Sequence, residues 1–213
     1  SGLVLTNSLQ IIDSLKLYAG TLTLGSNNLD LLGYSHSING EISSSVGAEL
    51  SVNAIGNAGK IVFDNTENVL SNLSINATGG TFEIENSVII NNQLNLNDGK
   101  LIISNGFIQV ENTARNGILV SDNSYIVGTL RRCVATGIDY QLPVGSAAYK
   151  QEVKINFNSM SESTCIDVSF TENSSDPDFA NISGLNLSVN GNAIEQVLDY
   201  GFWTITPTNS AGT

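Results

Sequence analysis

The chain opens in alternation. Leu3 and Leu5, Leu9 and Ile11, Leu15 and Leu17, Leu22 and Leu24, and Leu29 and Leu31 are each separated by a single residue. Side chains two apart point to the same side of a strand, so each pair predicts a short strand with one apolar face. Each run is soon followed by Gly, Asn, Ser or Asp, residues that turn the backbone. Helical spacing is absent apart from a weak match over 193–198.

The pattern repeats. A shift of 79 residues superposes the apolar positions without a gap: Leu3 and Leu5 on Phe82 and Ile84, Leu9 and Ile11 on Val88 and Ile90, Leu15 and Leu17 on Leu94 and Leu96, Gly20 on Gly99. A short strand with one apolar face cannot bury that face alone, so repeated strands of this kind predict stacked coils. Three strands spaced six to seven residues apart give a coil of about 20 residues, and the shift then equals roughly four coils. The competing arrangement, a stack of antiparallel hairpins, calls for Asn-Gly turns. Only Asn39-Gly40, Asn105-Gly106, Asn116-Gly117 and Asn190-Gly191 qualify.

The character changes near Arg131. Beyond it lie Tyr140, Tyr149, Phe157, Phe170, Phe179, Tyr200, Phe202 and Trp203, together with all three prolines. Longer alternating runs appear at 152–157, 165–170, 185–189 and 203–206, the pattern of an antiparallel β-sandwich. The expected architecture is therefore all-β. Residues 1–130 form a right-handed parallel β-helix (β-solenoid) of about six coils, closed by 125–130, and residues 131–213 form an antiparallel β-sandwich, truncated after Thr213.

Composition narrows the function. Charged residues make up only 13% of the chain, about half the usual share, and Asn, Ser, Thr and Gly take their place. The net charge is −12, spread along the chain: four Lys and Arg against eleven Asp and Glu in 1–130, and four against nine in 131–213. A phosphate backbone would be repelled, so no nucleic-acid partner is expected. No run approaches the ~20 apolar residues of a membrane helix, and no membrane insertion is expected. The chain reads as part of a longer protein. Cys133 and Cys165 match no zinc spacing. Bridged, they would close a loop of about 30 residues and add on the order of 3 kcal/mol. Free, they would be buried thiols.

Candidate chemistry is sparse. Glycoside hydrolysis needs two carboxylates facing one sugar. Asp13 with Asp30, Glu49 with Asp64, and Glu83 with Asp98 come nearest, but Asp30 and Glu83 sit between inward residues and should face solvent. His36, the sole histidine, lies in a Ser-rich turn without a nucleophile elbow. No catalytic residue is assigned and no cofactor is expected. Glu172, Asp176 and Asp178, whose oxygens cluster in sequence, read as a solvated acidic loop, with a structural calcium ion as the alternative. The many Asn residues read as turn and corner formers that bond one another between coils. Phe202 and Trp203, adjacent on a strand, must point to opposite faces, and at least one is expected in the core.

Four segments carry a resemblance: YIVGTLRRCV (125–134), DYQLPVG (139–145), YKQEVKINF (149–157) and GFWTITP (201–207). They resemble secreted Bacteroidetes proteins in which Gly-Leu-Thr-Leu β-repeats lead into an "FPVG" segment and a sandwich with a "YWTI" strand, ending in a sorting domain for type IX secretion. Here Leu142 and Phe202 replace the usual aromatics of those motifs, and no sorting domain is visible. The resemblance implies a secreted or cell-surface adhesin-like module. The expected function is a non-catalytic structural and adhesive part of a larger bacterial protein, with glycans or other surface proteins as partners. The alternatives are a carbohydrate-binding module of a polysaccharide-degrading enzyme, and a divergent polysaccharide lyase or hydrolase.

Overall fold

In the computed structural model the chain is described over residues 2–160, 164–172, 188–189, 192–193 and 201–208. The short strands wind into a β-solenoid of about seven turns, with mostly parallel pairing. Each turn contributes a strand to three faces. Face A runs through Gly2–Val4, Gly20–Thr23, Gly40–Ser44 and on to Ile108–Val110 and Leu130–Val134. Face B runs through Leu9–Ile11, Asn28–Leu31 and Glu49–Ile55 to Ile118–Val120. Face C runs through Ser14–Leu17 and Tyr34–Ser37 to Ser124–Val127 and Val144–Gly145.

Alternation within strands becomes columns between them. On face B, Leu9, Leu29, Leu50, Leu73, Leu94 and Ile118 are successive ladder partners. Ile11, Leu31, Val52, Ile75, Leu96 and Val120 form a second column beside them. From Leu29 to Leu96 these side chains are at most 1% exposed. Each such burial is worth about 1.5–3 kcal/mol, and it exists only because a neighbouring turn supplies the other wall.

Corners absorb variation in turn length. Ladder partners are 20 residues apart early in the chain and 25 apart at Gly99–Ser124. At the Gly59 corner the backbone has φ +86° and a Cβ would lie 1.9 Å from the Ser35 carbonyl oxygen, so glycine is required twice over. Asn86 takes φ 71° and donates its amide to the Phe63 carbonyl (2.9 Å), the local bonding that lets Asn hold this conformation.

The structure corrects the repeat. Leu3 lies on face A and pairs with Leu22, whereas Phe82 lies on face C and pairs with Leu101. The 79-residue shift therefore moves each strand by three turns and two faces, not four whole turns. Period-two strands and similar corners make the three faces alike in sequence, so the shift superposes inward positions but not faces. The stack also outruns the expected cap: Leu130–Val134 is itself a rung, parallel to Ile108–Val110, and Ile126 pairs onward with Val144.

Past residue 131 the described residues continue as antiparallel strands that extend face A. Leu130–Val134 pairs on its far edge with Thr164–Glu172, which pairs with Gly201–Thr208. Asp139–Leu142 and Val153–Asn156 form a separate two-stranded sheet, as do Ser188–Val189 and Asn192–Ala193. The physical reason is register: Leu130, Arg132 and Val134 keep the inward phase of Ile108 and Val110, so the sheet continues instead of breaking off. The possible helix at 193–198 lies outside the described residues except for Ala193.

Two contacts clamp this change of direction. Arg131 holds Asp167 through two bonds of 2.6 and 2.8 Å and lies 3.6 Å from the Phe107 ring centroid. The Asp167 carboxylate raises the Arg131 pKa. Two residues on, Cys133 and Cys165 face each other across the ladder and are joined by a disulfide. Among the described residues no helix is long and apolar enough to cross a membrane.

Two outcomes follow for stability. Leu73→Ala should lower unfolding free energy by about 2–5 kcal/mol in a denaturant titration, since no flexible neighbour can refill a column position. The Cys133→Ser, Cys165→Ser double variant should lose about 3–4 kcal/mol, and reductant should then have no further effect on the midpoint.

Candidate functional site

Face B carries ladder after ladder and then opens. Tyr140 and Leu142 point inward, occupying the positions where the next rung above Ile118 and Val120 would stand, yet Asp139–Leu142 pairs with Val153–Asn156 instead. Between the two strands lies a cleft of about 750 Å³. One wall is Ile118, Leu119 and Val120; the other is Tyr140, Gln141 and Ile155. Arg115, Asp139 and Lys154 stand around them.

The cleft exists because the loop before it is propped open. Leu130, Arg132 and Val134 share one phase of the strand, so Arg132 is directed into the core in register with Val110 and is 1% exposed. Among the described residues its guanidinium has no carboxylate partner. It donates instead to the main-chain carbonyls of Val110 (3.3 Å), Asn112 and Ala114 (2.6 Å). Tyr140 lies 5.1 Å beneath the guanidinium. Its hydroxyl donates to the Thr113 carbonyl (2.6 Å) and accepts from the Ala135 N–H (2.7 Å). Arg132 and Tyr140 thus satisfy the inward carbonyls of the loop from 110 to 114, which leads into the short 3₁₀ turn Arg115–Gly117. Gly117 fits because a Cβ there would meet Arg132 Nη2 at 2.8 Å. Burial pushes the Arg132 guanidinium down to about 10. A cation depressed on folding carries its full desolvation penalty below about pH 10, and the penalty eases as pH rises toward the ordinary guanidinium range.

At the mouth, Arg115 bonds the Asp139 carboxylate (2.9 Å) and the Asp139 main-chain carbonyl (3.2 Å). The second Asp139 oxygen accepts from Asn156 (2.6 Å). Asp139 is the only carboxylate among the lining residues, and both its oxygens are engaged. The arrangement offers binding surface and fixed charge, without a second carboxylate across the gap.

The acid pairs weighed from sequence are not brought together. Asp30 stacks between Gln10 and Ser51. Glu49 stacks between Asn28 and Asn72 and accepts from both amides. Asp64 closes a turn by accepting from the Thr66 hydroxyl and from the N–H groups of Thr66 and Glu67, bonds that hold its pKa below the usual carboxylate range. Glu83 lies beside Ile102, and Asp98 beside Asn76. His36 sits between Lys16 and Lys60 in the face C ladder, its ring stacked on Tyr34 at 6.1 Å, while Ser35 and Ser37 are buried.

Among the described residues no group of three or more His, Cys, Asp or Glu could hold a metal ion. Of the calcium candidates, Glu172 ends its strand exposed to solvent, and Asp176 and Asp178 lie outside the described residues. Asn side chains do bond between turns, as Asn92 to Asn72 (2.8 Å) and Asn97 to Ser74 (3.1 Å) show. Phe202 and Trp203 are 51% and 42% exposed, so neither is core. Among the described residues, their strand has a ladder partner on one side only and is exposed along most of its length. Trp203 donates to the Gln151 carbonyl (2.8 Å) and meets Phe170 edge-on at 5.5 Å.

Arg132→Ala should cost about 3 kcal/mol or more in chemical denaturation, because it orphans several buried carbonyls at once. The same variant should speed amide exchange over 112–117 while leaving 72–76 unchanged. No family of known proteins, no curated protein and no solved structure matches this chain.

Proposed function

We propose that this chain is a non-catalytic structural and adhesive module of a larger secreted or surface-displayed bacterial protein, with the solenoid as a rigid spacer. The observation that carries the reading is the pair of unbroken aliphatic columns on face B, which tie every turn to the next from Leu9 to Ile118. A stack of this kind resists bending because each rung is fixed by its neighbours. The clamp of Arg131–Asp167 and the disulfide carries that stiffness into the antiparallel strands, which we read as the opening strands of a sandwich module. The disulfide also suits an oxidising compartment such as the cell exterior. The resemblance to type IX secreted Bacteroidetes proteins supports the same address.

A second reading, carbohydrate binding, draws on the half-exposed rings of Phe202 and Trp203 and on exposed Tyr149. Rings presented this way can stack on sugar faces.

The test is a pull-down on a panel of soluble and insoluble polysaccharides, with reducing ends assayed in the same tubes. The structural and adhesive reading expects no release from any substrate. Retention on a glycan that disappears in Trp203→Ala would establish the second reading, and release of reducing ends would overturn the non-catalytic one.

A further inference from the structure

The cleft on face B presents main-chain groups from both sides, and hydrogen bonds beside it fix which ones. The Ser121 N–H donates to the Leu96 carbonyl (2.9 Å). In a parallel ladder alternate residues direct both main-chain groups to the same neighbour. Leu119 therefore bonds toward 94–96 along with Ser121, and Ile118 and Val120 direct their N–H and C=O groups into the cleft. On the opposite wall, the Gln151 N–H donates to the Val144 carbonyl (2.8 Å), in the same register that pairs Leu142 with Val153 and Tyr140 with Ile155. Asp139 and Gln141 are out of phase with those bonded pairs and direct their main-chain groups the other way, into the cleft. The Arg115 bond to the Asp139 carbonyl confirms that phase (3.2 Å). Both walls thus offer donors and acceptors at the two-residue period of an extended chain.

We propose that this cleft binds an extended acidic peptide, laid as an added strand between Ile118–Val120 and Asp139–Leu142. Its main chain bonds to both edges, the mode by which exposed sheet edges take up a strand. Its inward side chains are apolar and meet Ile118, Val120 and Tyr140. Its outward side chains are acidic and meet Arg115 and Lys154, whose side chains are 70% and 75% exposed. Arg115 is paired with Asp139 (2.9 Å), and Lys154 and Lys150 share Glu152 (3.6 Å each), so three cations stand against two acids here in a chain of net charge −12. The inference rests on the adhesive reading for its biological setting and supplies the partner class which that reading lacks. Glycan release would refute that reading without touching the ladder geometry tested next.

The experiment is amide exchange by NMR, with and without a nine-residue peptide alternating valine with glutamate and threonine. In the free protein the Ile118, Val120 and Gln141 amides should exchange fast while Leu119 and Ser121 stay slow, and the peptide should slow the first set. Fluorescence anisotropy with the same peptide, labelled, should show binding at least about tenfold tighter than its lysine-for-glutamate counterpart. Arg115→Glu with Lys154→Glu should reverse that preference. Val120→Pro removes a cleft-facing donor but no donor to 94–96. It should weaken binding about tenfold, the effect of one lost hydrogen bond, while Leu119 and Ser121 remain slow. Slow exchange at Ile118, Val120 and Gln141 in the free protein would mean the rung is closed. That result, or the absence of both binding and protection at 1 mM peptide, would overturn the proposal.

Discussion

Every other feature depends on the in-register stacking of inward aliphatic side chains from one turn to the next. A single rung of this chain has three short strands and leaves one side of its apolar residues bare. Leu73 is buried because Leu50 lies on one side of it and Leu94 on the other. Register is therefore strict along the columns, since a slip of one residue would turn each inward Leu out and each outward Asn or Ser in. Length is not strict. Corners lengthen from one turn to another without disturbing the columns, and the extra residues gather in loops such as 111–117 and the turn closed by Asp64.

The same constraint accounts for Arg132. The strand at 130–134 had to keep phase with Ile108 and Val110, and this places a guanidinium where an aliphatic residue stands in earlier turns. A buried charge without a counter-ion is costly unless its donors are all met. Here the loop that leads into Arg115–Gly117 bends inward and offers carbonyls. The fold thus turns a potential defect into the post that holds one wall of the cleft, with Tyr140 bonding the same loop from the opposite wall.

The solenoid was legible because alternation and columns are one fact seen in one and three dimensions: Leu9, Leu29 and Leu50 are visible as inward residues before their stacking is known. Their face was not legible, since strands on all three faces share the same period, and this misled the reading of the 79-residue shift. The acid pairs failed for a related reason. Glu49 and Asp64 are too close in sequence to complete a turn, and the observed register puts Glu49 beside Asn72. Arg132 could have been found, because the inward phase of Leu130 and Val134 passes through it. The cleft left no trace in sequence: it is a gap between strands at 118–120 and 139–142, and nothing in either segment says that they fail to pair. The antiparallel end was legible only as alternating strands, because aromatic-rich strands look alike whether they start a new sandwich or extend an old sheet.

Methyl NOE spectroscopy on selectively labelled leucine tests the stacking most directly. The account predicts cross-peaks from Leu73 to both Leu50 and Leu94, and from Leu29 to both Leu9 and Leu50. Their absence, with Leu73 instead contacting inward residues of an adjacent antiparallel hairpin partner, would contradict the solenoid and everything built upon it.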